Sequence, residues 1–452
     1  MKNRQNIEKD KFNDKNKFIQ NIENKCNKLW IPKLNETLYN IKTDTWFSLY
    51  ESKSKKTKFD LPEIKYDELD DNILKTKQIK LNLTKIQKKI INNWMHSYIK
   101  MYNKTIELIK QKYKENKKFR LSFYSIRKEL YDIKHNISTK SQLNFNDKTK
   151  NNKIGIHELD LAIKLACSNY KSALSNVKNK NIKNFRIKYW KFNKQIKHID
   201  FESNVFSSGS IRKNILGKIE GIYNGEKFDF TEIIHDCRLK YNGLIKEYIL
   251  YVPTETNKDK VKPKSKMISL DPGIRTFMSG LSEDKIVKIG DNADDKIRFY
   301  LNKMDKINKR HELPEPIKKK YSSYCNKKID NYVDELHWKS INYLTSNYKT
   351  IFIGNMSSKE IVSKTKKLNK MSKRIAMKLK FHLFRQRLKY KCSLRSNNYK
   401  LINEYYTSKI CSNCGNEHEN LGSNKTYECS KCKIKLCRDI NGARNIYVKS
   451  LE

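Results

Sequence analysis

The chain has no apolar run of the ~18 to 20 residues that a membrane-spanning helix requires. Its first 25 residues are too polar for a secretory signal peptide. We therefore expect a soluble intracellular protein with no membrane partner. Cysteine is also sparse, with ten residues, and six of them are scattered singly. Such usage predicts one metal site and ordinary buried thiols in a reducing compartment, and it argues against a disulfide framework.

Acidic residues are outnumbered by basic ones. Asp and Glu number 49 against 97 Lys and Arg, which gives a formal net charge of +48 spread along all 452 residues. So large an excess repels itself in a folded protein unless a polyanion neutralises it, which indicates nucleic acid as a partner. Part of the charge has another explanation, because Lys, Asn and Ile are abundant throughout, as an AT-rich genome would produce.

The four patterned cysteines form the strongest motif, Cys411-x2-Cys414-x14-Cys429-x2-Cys432. Each CxxC pair presents two thiolates from a tight turn, and the two pairs together supply the tetrahedral sulfur shell that Zn²⁺ prefers. A catalytic zinc keeps an open coordination position, whereas here all four positions are filled. The motif therefore predicts a structural zinc ribbon at about residues 406–437.

The N-terminal half has a polar beginning and then helical patterns. Residues 1–60 are rich in Lys and Asn and are predicted to form a loosely ordered extension. From Thr84 apolar residues recur every four positions, and Thr84 with Gln87 fits a capping box, so a long amphipathic helix is expected. A second helix is predicted at roughly 157–175.

Strand patterns replace helical ones near residue 200. Asn224-Gly225 and Asn242-Gly243 lie between strand-like runs and are typical of type I′ hairpin turns. A β-rich module is therefore predicted to complete residues 61–255. The polar, Lys-rich residues 256–266 indicate a linker.

Residues 267–452 alternate strands with helices. The expected elements are three strands (about 267–271, 275–281 and 285–289), helical residues 293–347, a strand at 350–353, a helix at about 372–393 and a strand at 399–405. This is the order of an RNase H-like α/β domain, although alternation alone is shared by other α/β folds. The predicted fold class is α/β plus helical and β modules.

Two aspartates stand where catalytic groups are often found. Asp271 ends a buried strand, and Asp439 opens the terminal helix after the cysteine motif. Phosphodiester cleavage with two metals needs several carboxylates around Mg²⁺ ions ~3.5 to 4 Å apart. Each aspartate alone is equally compatible with a helix cap.

Five segments resemble, in order, the signature of the TnpB/Fanzor family: LDPG (270–273), ELHW (335–338), FRQRL (384–388), YTSKICSNCG (406–415) and RDINGARNI (438–446). The resemblance implies an RNA-guided, transposon-encoded DNA endonuclease with a RuvC-like nuclease domain and an inserted four-cysteine zinc ribbon. A β-barrel wedge domain interrupted by a helical recognition lobe would precede it. The implied partners are a guide RNA and target DNA, bound by a monomer, and the implied catalytic cofactor is Mg²⁺.

The same resemblance implies three metal-holding carboxylates, of which Asp271 and Asp439 match the family pattern. In most members a Glu ends the strand that carries Gly354 here. Glu404 is the expected replacement, similar to the relocated glutamate of Fanzors. Alternatively Glu404 is a surface residue and the nuclease is inactive; Glu360 is a weaker substitute.

A basic run lies beside the expected active site and suits a phosphate backbone, although a solvated loop is an alternative. It comprises Lys364, Lys366, Lys367, Lys370, Lys373 and Arg374. His337 and Trp338 fall on a predicted helix, where packing or stacking is favoured over catalysis.

The resulting hypothesis is an RNA-guided, Mg²⁺-dependent DNA endonuclease that reads a short DNA motif itself and leaves the remaining specificity to base pairing. Two alternatives stay open: an inactive guided regulator, favoured by Gly354, and an unguided zinc-ribbon protein that assists transposition. A eukaryotic or viral origin would place the protein in a nucleus, and a prokaryotic origin in the bacterial cytoplasm.

Overall fold

The computed structural model describes residues 15–22, 29–44, 47–55, 59–69, 74–116, 118–131, 154–193, 196–259, 261–357, 361–362, 368–418, 421–422 and 424–451. The chain divides into a first unit, Met1–Ile73 with Asn257–Glu452, and a second unit, Leu74–Thr256. The expected boundary near residue 61 therefore falls at residue 74, and residues 1–60 share a unit with the C-terminal half.

The strands are β1 (Leu38–Asp44), β2 (Phe47–Ser52), β3 (Leu74–Asn82), β4 (Ile196–Phe201), β5 (Phe206–Ser207), β6 (Ser210–Ile211), β7 (Glu220–Tyr223), β8 (Glu226–Lys227), β9 (Cys237–Asn242), β10 (Glu247–Glu255), β11 (Ser265–Pro272), β12 (Met278–Ser282), β13 (Ile286–Ile289), β14 (Tyr348–Gly354), β15 (Asn398–Ile402), β16 (Thr426–Glu428) and β17 (Lys435–Cys437). The helices are α1 (15–22), α2 (Lys85–Glu115), α3 (Phe123–Tyr131), α4 (Ile156–Lys178), α5 (Ala293–Asn308), α6 (Glu315–Asn347), α7 (Lys370–Leu379), α8 (Phe381–Arg395) and α9 (Arg438–Ser450). Short 3₁₀ turns at Ser203–Val205 and Phe230–Glu232 and a π turn at Arg212–Leu216 connect strands.

The first unit contains a seven-stranded sheet in the order β1-β2-β13-β12-β11-β14-β15. β11, β12 and β13 form an antiparallel meander, whereas β14 and β15 join parallel to β11. These five strands follow the element order expected from the sequence for an RNase H-like domain. β15 ends at Ile402, so Glu404 lies beyond the strand that was predicted to contain it.

One predicted helix is broken. The expected helix at about 372–393 is two helices, α7 and α8, separated by Lys380. Lys380 adopts a left-handed backbone conformation with φ of 51°, which a continuous helix does not allow. The sequence does not indicate this break, because glycine is the usual residue in that conformation and residue 380 is a lysine.

The N-terminal segment is part of the seven-stranded sheet, which differs from the expectation of a loosely ordered extension. β2 pairs antiparallel with β13, with Leu49 opposite Ile289, and β1 pairs with β2. Phe47 and Leu49 are buried against the sheet, and the indole N–H of Trp30 donates to the Ser282 carbonyl at 3.0 Å. The lysines and asparagines of this segment obscure a short alternating strand pattern.

Two cores lie on opposite faces of this sheet. Ile268 and Leu270 of β11 pack with α5 to α8, whereas Met267 packs with α9, α1 and the N-terminal segment. Since side chains alternate along a strand, residues 269 and 271 project to the same face as Met267. Asp271 therefore lies on the α9 face.

The second unit has a six-stranded antiparallel sheet in the order β4-β9-β10-β3-β7-β8, with α2, α3 and α4 inserted between β3 and β4 in the sequence. Both predicted helices are confirmed, and both hydrogen bonds of the capping box between Thr84 and Gln87 are present. No pairing within the described ranges joins the edge strands β4 and β8. Closure into a wedge barrel therefore stays a prediction.

The two predicted hairpin turns differ. Asn224 and Gly225 have φ of 52° and 93° and link β7 to β8, as a type I′ turn requires. Asn242 instead pairs with Glu247 across a four-residue loop, so the prediction of a type I′ turn at Asn242-Gly243 is wrong. The Asn242 side chain accepts the Leu244 N–H at 3.1 Å, which favours this longer loop. Among the helices described, none is both long and apolar enough to cross a membrane.

Candidate active site

Strand register brings Asp271 and Gly354 together at one edge of the sheet. Leu270 of β11 is opposite Ile353 of β14, and Gly354 is opposite Ile402 of β15. Asp271 and Gly354 each follow one of these paired residues. The ends of the three parallel strands therefore meet where functional groups of α/β proteins collect.

Glu404 extends its side chain across Gly354. A Cβ atom added at residue 354 would lie 2.7 Å from both Cγ and Cδ of Glu404, closer than any real side-chain contact. The Met356 N–H donates to Glu404 Oε1 at 2.9 Å, and the Glu404 N–H donates to Asn355 Oδ1 at 3.3 Å. The observed Glu404 position therefore requires glycine at 354, the position at which the resemblance implied a glutamate.

Helix α9 packs directly on Asp271. A Cβ atom at Gly442 would lie 2.5 Å from Asp271 Oδ2 and 3.0 Å from its Cγ. Asp439 lies one turn earlier, in the first turn of α9. Gly442 therefore permits the close approach that brings the start of α9 to the end of β11.

The three carboxylates are electrostatically linked. Burial, followed by the negative charges of Glu404 and Asp439, raises the pKa of the Asp271 carboxyl well above its ordinary value, and Arg438 opposes this effect. A buried carboxyl group beside two further carboxylates is a donor set that a hard divalent cation stabilises.

The three carboxylates are not gathered as tightly as the cysteines. In the described part of the chain, only the four cysteines form a group of three or more potential ligands whose atoms all lie within 4.8 Å of one another. Asp271, Glu404 and Asp439 therefore do not by themselves form a closed metal cage.

The four cysteines form a closed sulfur cage. Sγ atoms of Cys411 and Cys432 are 3.7 Å apart, and those of Cys414 and Cys429 are 3.5 Å apart. A tetrahedral Zn²⁺ with Zn–S bonds of ~2.3 Å places its sulfurs ~3.8 Å apart. Burial and the negative charges of Cys414 and Cys429 raise the pKa of the Cys411 thiol, and a cation between the sulfurs would offset both effects. The geometry therefore fits structural zinc.

Both cysteine turns are shaped by a residue with positive φ. Gly415 follows the first pair with φ of 71°, and its N–H donates to the Cys411 carbonyl at 3.0 Å. Lys433 follows the second pair with φ of 58°, and its N–H donates to the Cys429 carbonyl at 3.0 Å. The two turns thus have the same backbone geometry, although only the first has the glycine that favours it.

Three buried polar residues of α9 hold the chain from Thr407 to Ser412 and also contact Leu29. Asn445 Nδ2 donates to the carbonyls of Thr407 and Ile410, both at 2.7 Å. Asn441 accepts the Ser412 N–H at 3.0 Å, and Arg444 donates to the Ser412 carbonyl and, at 2.8 Å, to that of Leu29. No role was predicted for these side chains, although polar residues at positions i, i+3 and i+4 of an otherwise buried helix are a usable signal.

The predicted phosphate-binding run is only partly described. Lys364, Lys366 and Lys367 lie outside the described residues, as does Glu360. Lys370 is exposed at the start of α7. Arg374 instead forms two hydrogen bonds of 2.6 and 2.9 Å with the Asp305 carboxylate, so its charge is already paired.

His337 is a packing residue, which agrees with the interpretation favoured from sequence. It is fully buried, stacks on Phe277 at 5.4 Å and lies 2.9 Å through Nε2 from the Leu379 carbonyl. Burial lowers the pKa of His337 to about 3, so its ring is neutral. The exposed Trp338 carries the Arg387 guanidinium over its ring at 5.3 Å.

Part of the chain matches a described family model. Residues 381–446, which span α8, β15, the zinc ribbon and the start of α9, match the model described as Cas12f1-like, TNB domain. The solved structure titled "Cryo-EM structure of the Cas12f1-sgRNA-target DNA complex" aligns with a TM-score of 0.44 and 13% identity, covering 84% of this chain and 99% of that one.

Two viral proteins are similar over most of their length. TnpB-like protein L79 of Acanthamoeba polyphaga mimivirus is 30% identical over 95% of this chain and 87% of the relative. TnpB-like protein R854 of the same virus is 31% identical over 82% of this chain and 72% of the relative. Because this identity extends over nearly the whole chain, the chain belongs to the TnpB-like protein family.

Proposed function

We propose that this protein is an RNA-guided, Mg²⁺-dependent DNA endonuclease of a transposable element, with Asp271, Glu404 and Asp439 as its metal-holding residues. The observation that carries the proposal is the Glu404 side chain lying across Gly354. A glutamate that follows β15 reaches the place that a glutamate on β14 would occupy. The absence of a carboxylate at residue 354 is therefore compatible with an active site.

The charge of the chain supports nucleic acid as the substrate and partner. A net charge of +48 is neutralised most directly by the phosphates of a guide RNA and of target DNA. Base pairing with the guide would select the target, and the protein would read a short adjacent DNA motif. We propose a monomer bound to one guide RNA, acting in the nucleus, since the mimivirus relatives come from a virus of amoebae.

The residues present fit Mg²⁺, because all three offer carboxylate oxygens, which this cation prefers as ligands. When bound, Mg²⁺ lowers the pKa of water and neutralises charge that develops on the phosphodiester. Asp271 provides the central carboxylate, held by β11 and covered by α9. Glu404 is oriented through the Met356 N–H, and Asp439 is oriented by the first turn of α9.

Zinc has a different role in this proposal. The four-cysteine cage has no open position for a substrate, so it would stabilise the ribbon and not take part in cleavage. The ribbon lies in the sequence between Glu404 and Asp439. Its folding therefore fixes the positions of two of the three carboxylates.

The test is cleavage of a plasmid library by the protein co-expressed with its flanking noncoding RNA. We expect wild type in Mg²⁺ to cut at guide-matched sites, and Asp271→Ala and Glu404→Ala to bind without cutting. Glu428→Ala is the matched control, because Glu428 is an exposed ribbon residue whose ion pair is with the exposed Lys435. Wild type that binds guide-matched DNA without cutting would replace this proposal with the inactive guided regulator.

A further inference from the structure

The second unit contains an open pocket of about 510 Å³ between the β5–β6 hairpin and the π turn Arg212–Leu216. Its lining is polar and basic, with apolar surface supplied by Phe206 and its neighbours. The polar lining residues are His157, Asn204, Ser207, Arg212, Lys213 and Asn214. None of these residues belongs to the carboxylate site or to the zinc ribbon.

Arg212 is held in the pocket wall in a strained conformation. Its φ of 46° lies in the left-handed region, which an arginine rarely adopts. The fully buried Glu158 accepts hydrogen bonds from Arg212 Nε at 2.9 Å and from Nη2 at 2.7 Å. Such strain persists only where the surroundings over-determine it, and it is concentrated at ligand-binding sites. The ion pair with Glu158 therefore keeps a fixed arginine at the pocket.

The remaining lining offers unpaired polar groups and one aromatic ring. Within the described part of the chain, the side chains of Asn204, Lys213 and Asn214 have no hydrogen-bonding or ionic partner. Phe206 is only partly buried, and its ring lies parallel to that of Phe230, with the centroids 6.3 Å apart and an interplanar angle of 7°. An exposed ammonium group, two amides and an aromatic ring match the phosphate, the base edge and the base face of a nucleotide.

The size of the pocket sets how much nucleic acid can enter. A volume of about 510 Å³ lies within the ~300 to 1,000 Å³ range of sites for small ligands. Such a space admits one nucleotide and not a stacked base pair. We propose that this pocket binds a single unpaired nucleotide of a nucleic-acid strand, with its phosphate beside Lys213 and its base against Phe206. The inference rests on the proposed function only in taking nucleic acid as the ligand.

Photo-crosslinking to the full-length protein tests this site. Single-stranded DNA and RNA oligonucleotides carrying 5-iodouracil are irradiated with the protein in EDTA, and crosslinked peptides are identified by mass spectrometry. We expect a crosslink within residues 203–216. Lys213→Glu should lower its yield about fivefold, because a repulsive charge replaces a phosphate contact. Lys227→Glu is the matched control, since Lys227 is an exposed lysine of the same unit.

Each outcome has a defined meaning. A crosslink from DNA alone or RNA alone supports the pocket and identifies the strand, and crosslinks from both support recognition of shared nucleotide chemistry. No crosslink within 203–216 from either strand overturns the proposal, as does an equal loss in Lys213→Glu and Lys227→Glu. EDTA prevents metal-dependent cleavage, so this result does not depend on whether the carboxylate site is active.

Discussion

The side chain of Glu404 occupies the space that a side chain at residue 354 would need. A Cβ atom added at Gly354 would lie 2.7 Å from both Cγ and Cδ of Glu404. A carboxylate can therefore be supplied from β14 or from the residues after β15, but not from both in this arrangement. Side chains at positions 354 and 404 therefore compete for one space. Exchanging the residues at the two positions tests this exclusion.

Moving the glutamate back to β14 should preserve part of the activity. Glu404→Gly should lower the cleavage rate roughly 100- to 1,000-fold, because loss of a metal-holding carboxylate costs several kcal/mol. Gly354→Glu alone should also be impaired by collision with Glu404. The double variant Gly354→Glu/Glu404→Gly should recover activity above both single variants, measured as single-turnover plasmid cleavage. A double variant no better than Glu404→Gly would show that the two positions are not equivalent.

Gly442→Ala should impair cleavage while leaving the zinc ribbon intact. The added Cβ would lie 2.5 Å from Asp271 Oδ2, so either Asp271 or the start of α9 must move. Alanine is favoured over glycine within a helix by ~1 kcal/mol, so general helix weakening does not explain a loss. The measurements are cleavage rate against Mg²⁺ concentration and zinc content. Unchanged cleavage at every Mg²⁺ concentration contradicts the contact.

Removal of one zinc ligand should unfold the ribbon. Cys429→Ser leaves three sulfurs in a cage whose Sγ atoms are 3.5 to 3.7 Å apart in pairs. Structural Zn²⁺ contributes apparent binding energies of ~10 to 16 kcal/mol to small domains, so both zinc content and the midpoint of thermal unfolding should fall. Cys437→Ser is the control, because Cys437 lies outside the four-cysteine group. Equal zinc content in the two variants would contradict the assignment of Cys429 as a zinc ligand.

Asn445→Ala should destabilise the first unit by about 1 to 3 kcal/mol. The change leaves the Thr407 carbonyl without the 2.7 Å hydrogen bond that it accepts, and burial prevents water from replacing the amide. The Ile410 carbonyl also loses a 2.7 Å hydrogen bond but keeps the one from Asn441 Nδ2 at 2.9 Å. Urea unfolding measures the effect. Asn424→Ala, at an exposed asparagine, should be within ~0.5 kcal/mol of wild type. Matching losses in the two variants would contradict the anchoring role.

Acid should destabilise the protein partly through His337. Its folded-state pKa of about 3 lies below the ordinary 6.5, so between these values the unfolded state binds a proton that the folded state does not. Above pH 6.5 this difference costs no stability. As the pH falls towards 3 the free energy of unfolding decreases, and by pH 5 the decrease is about 2 kcal/mol. His337→Gln should lose less stability than wild type between pH 7.5 and 5.0 in urea unfolding. Parallel losses would mean that another group titrates.

The sequence predicts those parts of the site that depend on local patterns. Asp271 after a buried apolar run, the CxxC spacing and the capping box at Thr84 are all local, and the structure has each where expected. The β1–β2 hairpin was missed because its place in the sheet depends on pairing with β13, which is distant in sequence. Local propensity contains no information about such a partner.

Two further features depend on tertiary contacts. Lys380 breaks a helix whose periodicity continues through it, and only packing of α7 and α8 decides that conformation. The Arg212 pocket depends on an ion pair with Glu158, which is on another element. Neither feature is visible in a window of neighbouring residues.

The antiparallel pairing of β2 with β13 also constrains the order in which the protein can be made. Residues of β2 leave the ribosome long before their hydrogen-bonding partner has been translated, so the hairpin must stay soluble with one edge uncovered. Closing so long a loop is entropically slow, and unpaired edges promote aggregation. Asp271 likewise gains its contact with α9 only late in translation, because α9 follows the zinc ribbon in the sequence. Asp271, Glu404 and Asp439 are thus brought together only after the sheet and the ribbon exist to support them.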